Sequence, residues 1–221
     1  SHDTHQLVWD ILDFLPTNLK IAEDVLRAVQ GESKEDVPPW SALLDRSRSP
    51  HKSIYVMEVI DSFLRPSVEI LSVIPKPDEA AAQMTEGAAT FRRGFIGTGG
   101  FVSIMTLFTK ASGEGGMSGG GRRLRPESEK GNTVALRILK CCFIGSGGTS
   151  SNVDGGDNLD AIGVELMKGM QDCRPLLESL SGTVVLGQGM SDKAILDTLQ
   201  VLRLLLRSYP DVSEQFVLLP D

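Results

Sequence analysis

The sequence predicts an all-α protein in which helical hairpins stack in the manner of armadillo or HEAT repeats, an α-solenoid. First, apolar residues recur near the helical period in each long apolar segment of the chain. Second, residues that start and end helices separate these segments. Third, the order helix, short turn, helix recurs along the chain, although no exact sequence repeat is visible. A single irregular helical bundle is the alternative architecture.

The segment from Phe91 to Phe108 predicts a helical hairpin near the middle of the chain. Its second half places four apolar residues at i, i+3, i+4 and i+7 of a helix, namely Phe101, Ile104, Met105 and Phe108. Gly97, Gly99 and Gly100 precede this stripe and suit the open or left-handed backbone beyond a helix end. We therefore expect the stripe to pack against the preceding helix, folded back antiparallel.

The N-terminal part predicts a further hairpin. A first helix ends at Pro16 and carries one apolar face, formed by Leu7, Ile11, Leu12 and Leu15. Thr17 or Asn18 caps a second helix, which Gly31 ends. The apolar positions of this second helix are Leu19, Ala22, Leu26 and Val29.

Prolines mark the starts of the next helices. Pro38 and Pro39 fit the beginning of a short helix through Trp40, Leu43 and Leu44. Ser49 and Pro50 fit the N-cap and first position of a longer helix, whose main apolar face is Ile54, Met57, Ile60 and Leu64. A long alanine-rich helix then begins near Asp78 and runs into the central hairpin.

Two glycine-rich segments interrupt the helical pattern. Residues 111–131 and 145–157 contain too little apolar surface to offset the entropy lost on ordering, so we expect flexible loop insertions there. The helix between them carries an apolar face of Val134, Ile138, Cys141 and Cys142. The whole chain, residues 1–221, is expected to form one armadillo-like domain and to be a fragment of a larger protein, because it begins without methionine.

The C-terminal part predicts three more helices and a turn. One helix runs from about Leu159 to Met170, and another passes through Leu176, Leu177 and Leu180. Residues 182–189 are predicted as a turn region, because their short apolar run has no sheet to join. The last long helix, over 191–208, is expected to face inward with Ile195, Leu199, Leu202 and Leu206.

Composition and charge narrow the class of partner. The formal net charge of −7 argues against nucleic acid and anionic membrane as main partners, which leaves proteins. The sequence shows neither a transmembrane span nor a signal peptide. An odd number of cysteines, two of them adjacent, argues against a secreted disulfide framework and favours an intracellular, reducing setting.

Candidate chemistry is sparse. Cys141 and Cys142 lie in an apolar helix without a histidine partner, so we interpret them as core residues rather than nucleophiles. No spacing typical of a zinc, calcium or phosphate-binding loop appears, and the sequence therefore predicts no catalytic residue, no metal site and no cofactor. Trp9 and Trp40 flank apolar helical runs and are expected to pack.

One regulatory feature is visible at positions 46–50, where the sequence reads Arg-Ser-Arg-Ser-Pro. Ser47 and Ser49 lie among arginines, and Ser49 precedes a proline, as in many kinase substrates. Both serines are therefore candidate phosphorylation sites. The alternative interpretation of Ser49 is a plain helix N-cap.

Three segments together resemble the giant fat-facets-type ubiquitin-specific proteases. They are residues 7–18, which read Leu-Val-Trp-Asp-Ile-Leu-Asp-Phe-Leu-Pro-Thr-Asn, residues 53–66, which read Ser-Ile-Tyr-Val-Met-Glu-Val-Ile-Asp-Ser-Phe-Leu-Arg-Pro, and the hairpin of residues 91–108. The resemblance covers about residues 7–108. This part of the chain is similar to the family's non-catalytic helical region that follows an internal ubiquitin-like domain.

The resemblance implies a parent cysteine protease that removes ubiquitin from substrates, with its catalytic domain elsewhere in the chain. Cys141, Cys142 and Cys173 lack the sequence context of the family's cysteine box, so no catalytic residue is carried over. The expected function is a scaffold that positions partner proteins or ubiquitinated substrates. Its expected location is the cytoplasm, and the nucleus is an additional candidate location. An armadillo-type interaction adaptor without an enzymatic parent is the alternative.

Overall fold

The computed structural model describes residues 18–31, 37–65, 77–113, 126–145, 159–170, 173–186 and 192–208. In these ranges the chain is mostly helical and contains no strand, which confirms the all-α prediction. The helices are α1 (Leu19–Gln30), α2 (Trp40–Leu43), α3 (Pro50–Leu64), α4 (Pro77–Gly97), α5 (Gly100–Gly113), α6 (Pro126–Ile144), α7 (Ala161–Gly169), α8 (Arg174–Leu186) and α9 (Asp192–Ser208).

The predicted ends of α1 and α3 are confirmed by their caps. The Asn18 side chain accepts hydrogen bonds from the N–H groups of Lys20 and Ile21 at 3.1 and 3.4 Å. Gly31 ends α1 in the left-handed region, at φ 66°. Ser49 caps α3 directly before Pro50. These local side-chain bonds satisfy backbone groups that a helix end would otherwise leave unpaired.

The central hairpin is formed by α4 and α5, which contact each other across a two-residue turn. Gly99 takes φ 84° in this turn, a conformation that side chains disfavour. The predicted stripe on α5 faces inward, with Met105 half-buried and with Phe101, Ile104 and Phe108 at most 2% exposed. The prediction of a hairpin with a buried apolar stripe is therefore confirmed.

Helix α6 lies at the centre of the hydrophobic core. It contacts α3, α5, α7 and α9. Apolar residues over most of its circumference are buried, namely Val134, Ala135, Leu136, Ile138, Leu139, Cys141, Cys142, Phe143 and Ile144. A helix with so wide a buried face needs neighbours on several sides, and α6 has them.

The other helices also contact one another. Helix α1 contacts α3, α3 contacts α6, and α6 contacts α9; beside them α4 contacts α5, and α5 contacts α8. The buried residues of these helices join in one hydrophobic cluster.

Helix α6 begins at Pro126, which is inside the predicted insertion of residues 111–131. Helix α5 likewise continues to Gly113. The boundaries drawn from glycine content were therefore too wide, because a single glycine such as Gly131 costs a helix only about 1 kcal/mol and here lies buried in α6. Residues 114–125, and almost all of the second predicted insertion at 145–157, lie outside the described residues.

Helix α8 continues to Leu186, so the turn predicted for residues 182–189 was wrong for its first five residues. Gly182 does not end the helix, for the same energetic reason. The predicted first helix, with Trp9, lies outside the described residues.

The inward faces of α1 and α9 are rotated from those the leucines predicted. Val25 and Val29 are the buried apolar residues of α1, whereas Leu19 and Leu26 are 75% and 37% exposed. On α9, Leu199 is 44% exposed and Ile195 and Leu206 are half-buried, while the buried apolar residues are Ala194, Val201, Leu202, Leu204 and Leu205. The face that a helix buries is set by its neighbours, here α6 and α8 for α9, and not by leucine content.

Helix α7 packs closely against the end of α6, and a matched pair of variants tests this contact. A Cβ atom on Gly163 would overlap the backbone carbonyl of Phe143, whereas one on Gly169 of the same helix would meet nothing within 4 Å. We expect Gly163→Ala to lower the free energy of unfolding by about 1–3 kcal/mol through overpacking. Gly169→Ala should leave it unchanged or raise it by up to about 1 kcal/mol. Urea unfolding measures both, and equal effects of the two variants would contradict the close packing of α7 on α6.

Candidate functional site

The candidate phosphorylation sites lie in the short segment between α2 and α3, in two different environments. Ser47 is exposed, and both its N–H and its hydroxyl donate to Asp45 Oδ1, at 2.9 and 2.6 Å. Ser49 is half-buried, and its Oγ accepts a hydrogen bond from the N–H of Lys52 at 3.3 Å. The structure therefore confirms Ser49 as the N-cap of α3, and it places Ser47 beside a carboxylate.

The two arginines of this segment point in opposite directions. Arg48 is 88% exposed and forms an ion pair with Asp45 at 3.5 Å. Arg46 turns inward, and its Nη1 donates to Asn132 Oδ1 of α6 at 3.2 Å. The Nε and Nη2 atoms of Arg46 are buried without a hydrogen-bond partner, and burial lowers its pKa. Of the two arginines, therefore, only Arg48 places its positive charge near the serines on the solvent side.

The charge of Asp45 is stabilised by the serine next to it. Hydrogen bonds from the hydroxyl and the backbone of Ser47 lower the pKa of the Asp45 carboxyl, with a smaller contribution from Arg48. This carboxylate is half-buried and stays ionised at neutral pH, because its pKa is lowered. A second negative group placed on Ser47 would lie directly beside it.

Cys141, Cys142 and Cys173 are buried, and none of them forms a disulfide bond. For Cys141 and Cys142, this is the core position that the sequence predicted. Burial raises the pKa of the Cys141 thiol to about 12, and the nearby Asp61 carboxylate adds to the effect. Burial also raises the pKa of Cys142. Because the thiolate is the nucleophilic form, these two residues are poor candidates for covalent catalysis.

The buried charges form a feature that the sequence analysis missed. Arg92 of α4 is 4% exposed, and its Nε and Nη2 donate to the carbonyl oxygen of Cys142 at 3.1 and 2.7 Å. Its Nη1 and Nη2 also donate to the two carboxylate oxygens of Asp160, the N-cap of α7. We refer to Arg92, Asp160 and the Cys142 carbonyl as the Arg92 clasp. It joins α4, α6 and α7.

A second set of charges lies along the contact between α3 and α6. Asp61, which is 3% exposed, is paired with Arg65, the residue that follows α3, and with Arg137 of α6 at 3.0 Å. Arg137 and Lys130 also pair with Glu58, at 2.9 and 3.5 Å. We call these five side chains the α3–α6 ion network. Its pairing follows the helical spacing of Glu58, Asp61 and Arg65, but the partners on α6 are 72 or more positions away and are not visible as a local pattern.

A third buried pair joins α6 to α9. Lys140 Nζ lies 2.6 Å from Asp197 Oδ1, and both side chains are largely buried. Together, these pairs neutralise charges that would otherwise be costly inside the protein. Their positions between helices indicate a structural role.

The remaining candidates from the sequence analysis are a tryptophan, metal-binding groups and membrane-spanning helices. Trp40 is buried; its ring meets Phe95 edge-on at 5.0 Å, and its Nε1 donates to Thr98 at 3.1 Å, so it packs as expected. Within the described ranges no group of three or more His, Cys, Asp or Glu residues could hold a metal ion. In the same ranges, no helix is both long and apolar enough to cross a bilayer.

Comparison with protein-family models, with curated proteins and with solved structures gives no match for this chain.

The Arg92 clasp predicts a pH-dependent contribution to stability. Partial burial raises the pKa of the Asp160 carboxyl, but the hydrogen bonds from Arg92 and from Gly163, with the attraction of Arg92, outweigh burial, and the pKa is lowered. A lowered folded-state pKa stabilises the fold above the ordinary carboxyl value of about 4, and this contribution is lost as the pH falls through the folded-state value.

We therefore expect Asp160→Asn, which keeps a capping oxygen but removes the charge, to be less stable than the parent at pH 7. The difference in free energy of unfolding should shrink as the pH falls below about 4. Thermal melts of both proteins between pH 7 and pH 2.5 measure it. A difference that stays constant over this range would show that the Asp160 charge contributes nothing.

Proposed function

We propose that this chain is a non-catalytic helical scaffold of a large deubiquitinating cysteine protease, and that it positions partner proteins or ubiquitinated substrates for a catalytic domain elsewhere in the protein. The observation that carries the proposal is the use of reactive side chains in packing. Cys141, Cys142 and Cys173 are buried. The buried Arg92 and Asp61 are paired between helices. A protein whose reactive groups hold its helices together is suited to present a surface rather than to react.

The resemblance to fat-facets-type proteases supports the same proposal. Two of its three segments form α3 and the α4–α5 hairpin, and these helices contact one another in the core. The shared residues are thus packing residues. Such residues specify an architecture, which fits a non-catalytic region of the family.

An armadillo-like stack is the arrangement we propose for the helices. The successive contacts α1 to α3, α3 to α6 and α6 to α9, with the neighbouring contacts α4 to α5 and α5 to α8, are consistent with two rows of helices. Stacked helices of this kind present extended surfaces for proteins. The net charge of −7 supports protein partners, and three cysteines without a disulfide bond support a reducing, intracellular setting.

We further propose that phosphorylation of the segment between α2 and α3 regulates this scaffold. A phosphate on Ser49 would lie at the positive end of the α3 dipole and meet backbone N–H groups. A phosphate on Ser47 would lose the hydroxyl hydrogen bond to Asp45 and repel its carboxylate. The two sites would therefore act on stability in opposite directions.

Site-specific incorporation of phosphoserine tests this difference. We expect phosphorylated Ser49 to raise the free energy of unfolding by about 0.3–1 kcal/mol at low salt, and less at high salt. Phosphorylated Ser47 should lower it. Ser49→Ala should cost about 1 kcal/mol through loss of the cap, whereas Ser47→Ala provides the control without a cap. A lower melting temperature on phosphorylation of Ser49 would contradict its role in the helix start.

The scaffold function is tested in the full-length parent protein with residues 18–208 deleted. We expect hydrolysis of a fluorogenic ubiquitin substrate to change by less than about twofold, because the catalytic domain is intact. Cleavage of ubiquitin from a protein partner should fall by about tenfold or more, because the scaffold no longer raises the local substrate concentration.

The isolated chain provides the second arm of the test. A ubiquitin-based thiol probe should not label it, and labelling of Cys141, Cys142 or Cys173 would contradict a scaffold. Failure of the full-length protein itself to react with the probe would favour an interaction adaptor without an enzymatic parent. Mass spectrometry distinguishes these outcomes.

A further inference from the structure

The apolar face of α1 is only partly buried. At 100° per residue, the apolar positions of α1 occupy one continuous arc about 180° wide. In order around the helix they are Ala28, Ile21, Val25, Val29, Ala22, Leu26 and Leu19. The two valines are buried, Ile21 and both alanines are half-buried, and the two leucines at one end of the arc are exposed. The apolar surface of α1 is therefore wider than the contact that covers it.

The covered side of the arc is fixed by the core. Helix α1 contacts α3 and α4, and a Cβ atom on Gly94 of α4 would come within 2.6 Å of Val29 Cγ1. At the start of α1, the N–H of Asn18 donates to the hydroxyl of Tyr55 on α3 at 2.6 Å. Because both ends of α1 are held in this way, the helix cannot roll to bury Leu19 and Leu26 without breaking these contacts.

We propose that the uncovered face of α1 is the docking site of residues 7–15 of the same chain. This segment carries a matching stripe of Leu7, Ile11, Leu12 and Leu15. Only residues 16–18 connect it to α1, and a connection of two to five residues is the usual length in an antiparallel pair of helices. A tether this short keeps the segment close to Leu19 and Leu26 and favours it over a separate molecule as occupant.

Charge complementarity points to the same occupant. The edge of the leucine face carries one more positive than negative charge: Glu23 lies next to both leucines, and Lys20 and Arg27 lie beyond it, all three exposed. Residues 7–15 contain two acidic residues, Asp10 and Asp13, and no basic one. Apolar contact at the centre with opposite charges at the edge is the arrangement expected between two packed surface helices.

Hydrogen exchange of the intact 221-residue chain tests the docking. We expect the amides of residues 7–15 to exchange at least about tenfold more slowly than in the free peptide, as for a docked element. Leu26→Gln should remove this protection, whereas protection of α6 should remain unchanged. Glutamine is chosen because it is a good helix former and adds no charge.

A matched control separates docking from general effects. Val102→Gln changes a valine on α5 that is 54% exposed, and it should leave residues 7–15 protected. The proposal is overturned if these amides exchange at the rate of the free peptide, or if Leu26→Gln leaves them unchanged. It is also overturned if Leu26→Gln removes protection from α6 as well, or if sedimentation shows that it converts a dimer to a monomer.

Discussion

The buried guanidinium of Arg92 is the interaction on which the arrangement of α4, α6 and α7 depends. A cation that is 4% exposed requires negative or polar partners, and the structure supplies the Asp160 carboxylate and the Cys142 carbonyl. The carbonyl comes from the end of α6, where helical oxygens lack partners of their own. The same carboxylate accepts the N–H of Gly163 at 2.8 Å and so starts α7. One charged contact thus fixes a helix end and a helix start on the side of a third helix.

The remaining polar groups of the interior follow the same logic around α6. The α3–α6 ion network and the Lys140–Asp197 pair join α6 to the helices on either side of it. Replacing one member of such a pair leaves a buried charge without a partner, which is more costly than the pair is stabilising. The pairs therefore act mainly by specifying which helix faces meet. The charged side chains of the interior thus contribute to the packing of the helices.

The sequence allowed us to predict those structural features that depend only on residues close together in the chain. Asn18, Ser49, Gly31 and Gly99 were interpretable because a cap or a turn involves only a few consecutive residues. The inward orientation of Arg46 and the exposure of Leu199 could not be predicted, because they depend on contacts with other helices. Arg46, for example, contacts Asn132, 86 positions away. Of the candidate site, the cap at Ser49 and the buried cysteines were therefore predictable. The carboxylate beside Ser47 was overlooked although it is two residues away.

The spacing of the polar contacts along the chain bears on how the protein folds. Glu58 and Arg137 are 79 positions apart, and Arg92 and Asp160 are 68 apart, so their formation closes long loops. Contacts of this range slow a helical protein relative to one built from hairpins alone. The closure entropy nevertheless grows only with the logarithm of loop length, so doubling a loop costs about 0.6 kcal/mol. The glycine-rich connection between α5 and α6 can thus vary considerably in length during evolution while the ion network it closes is retained.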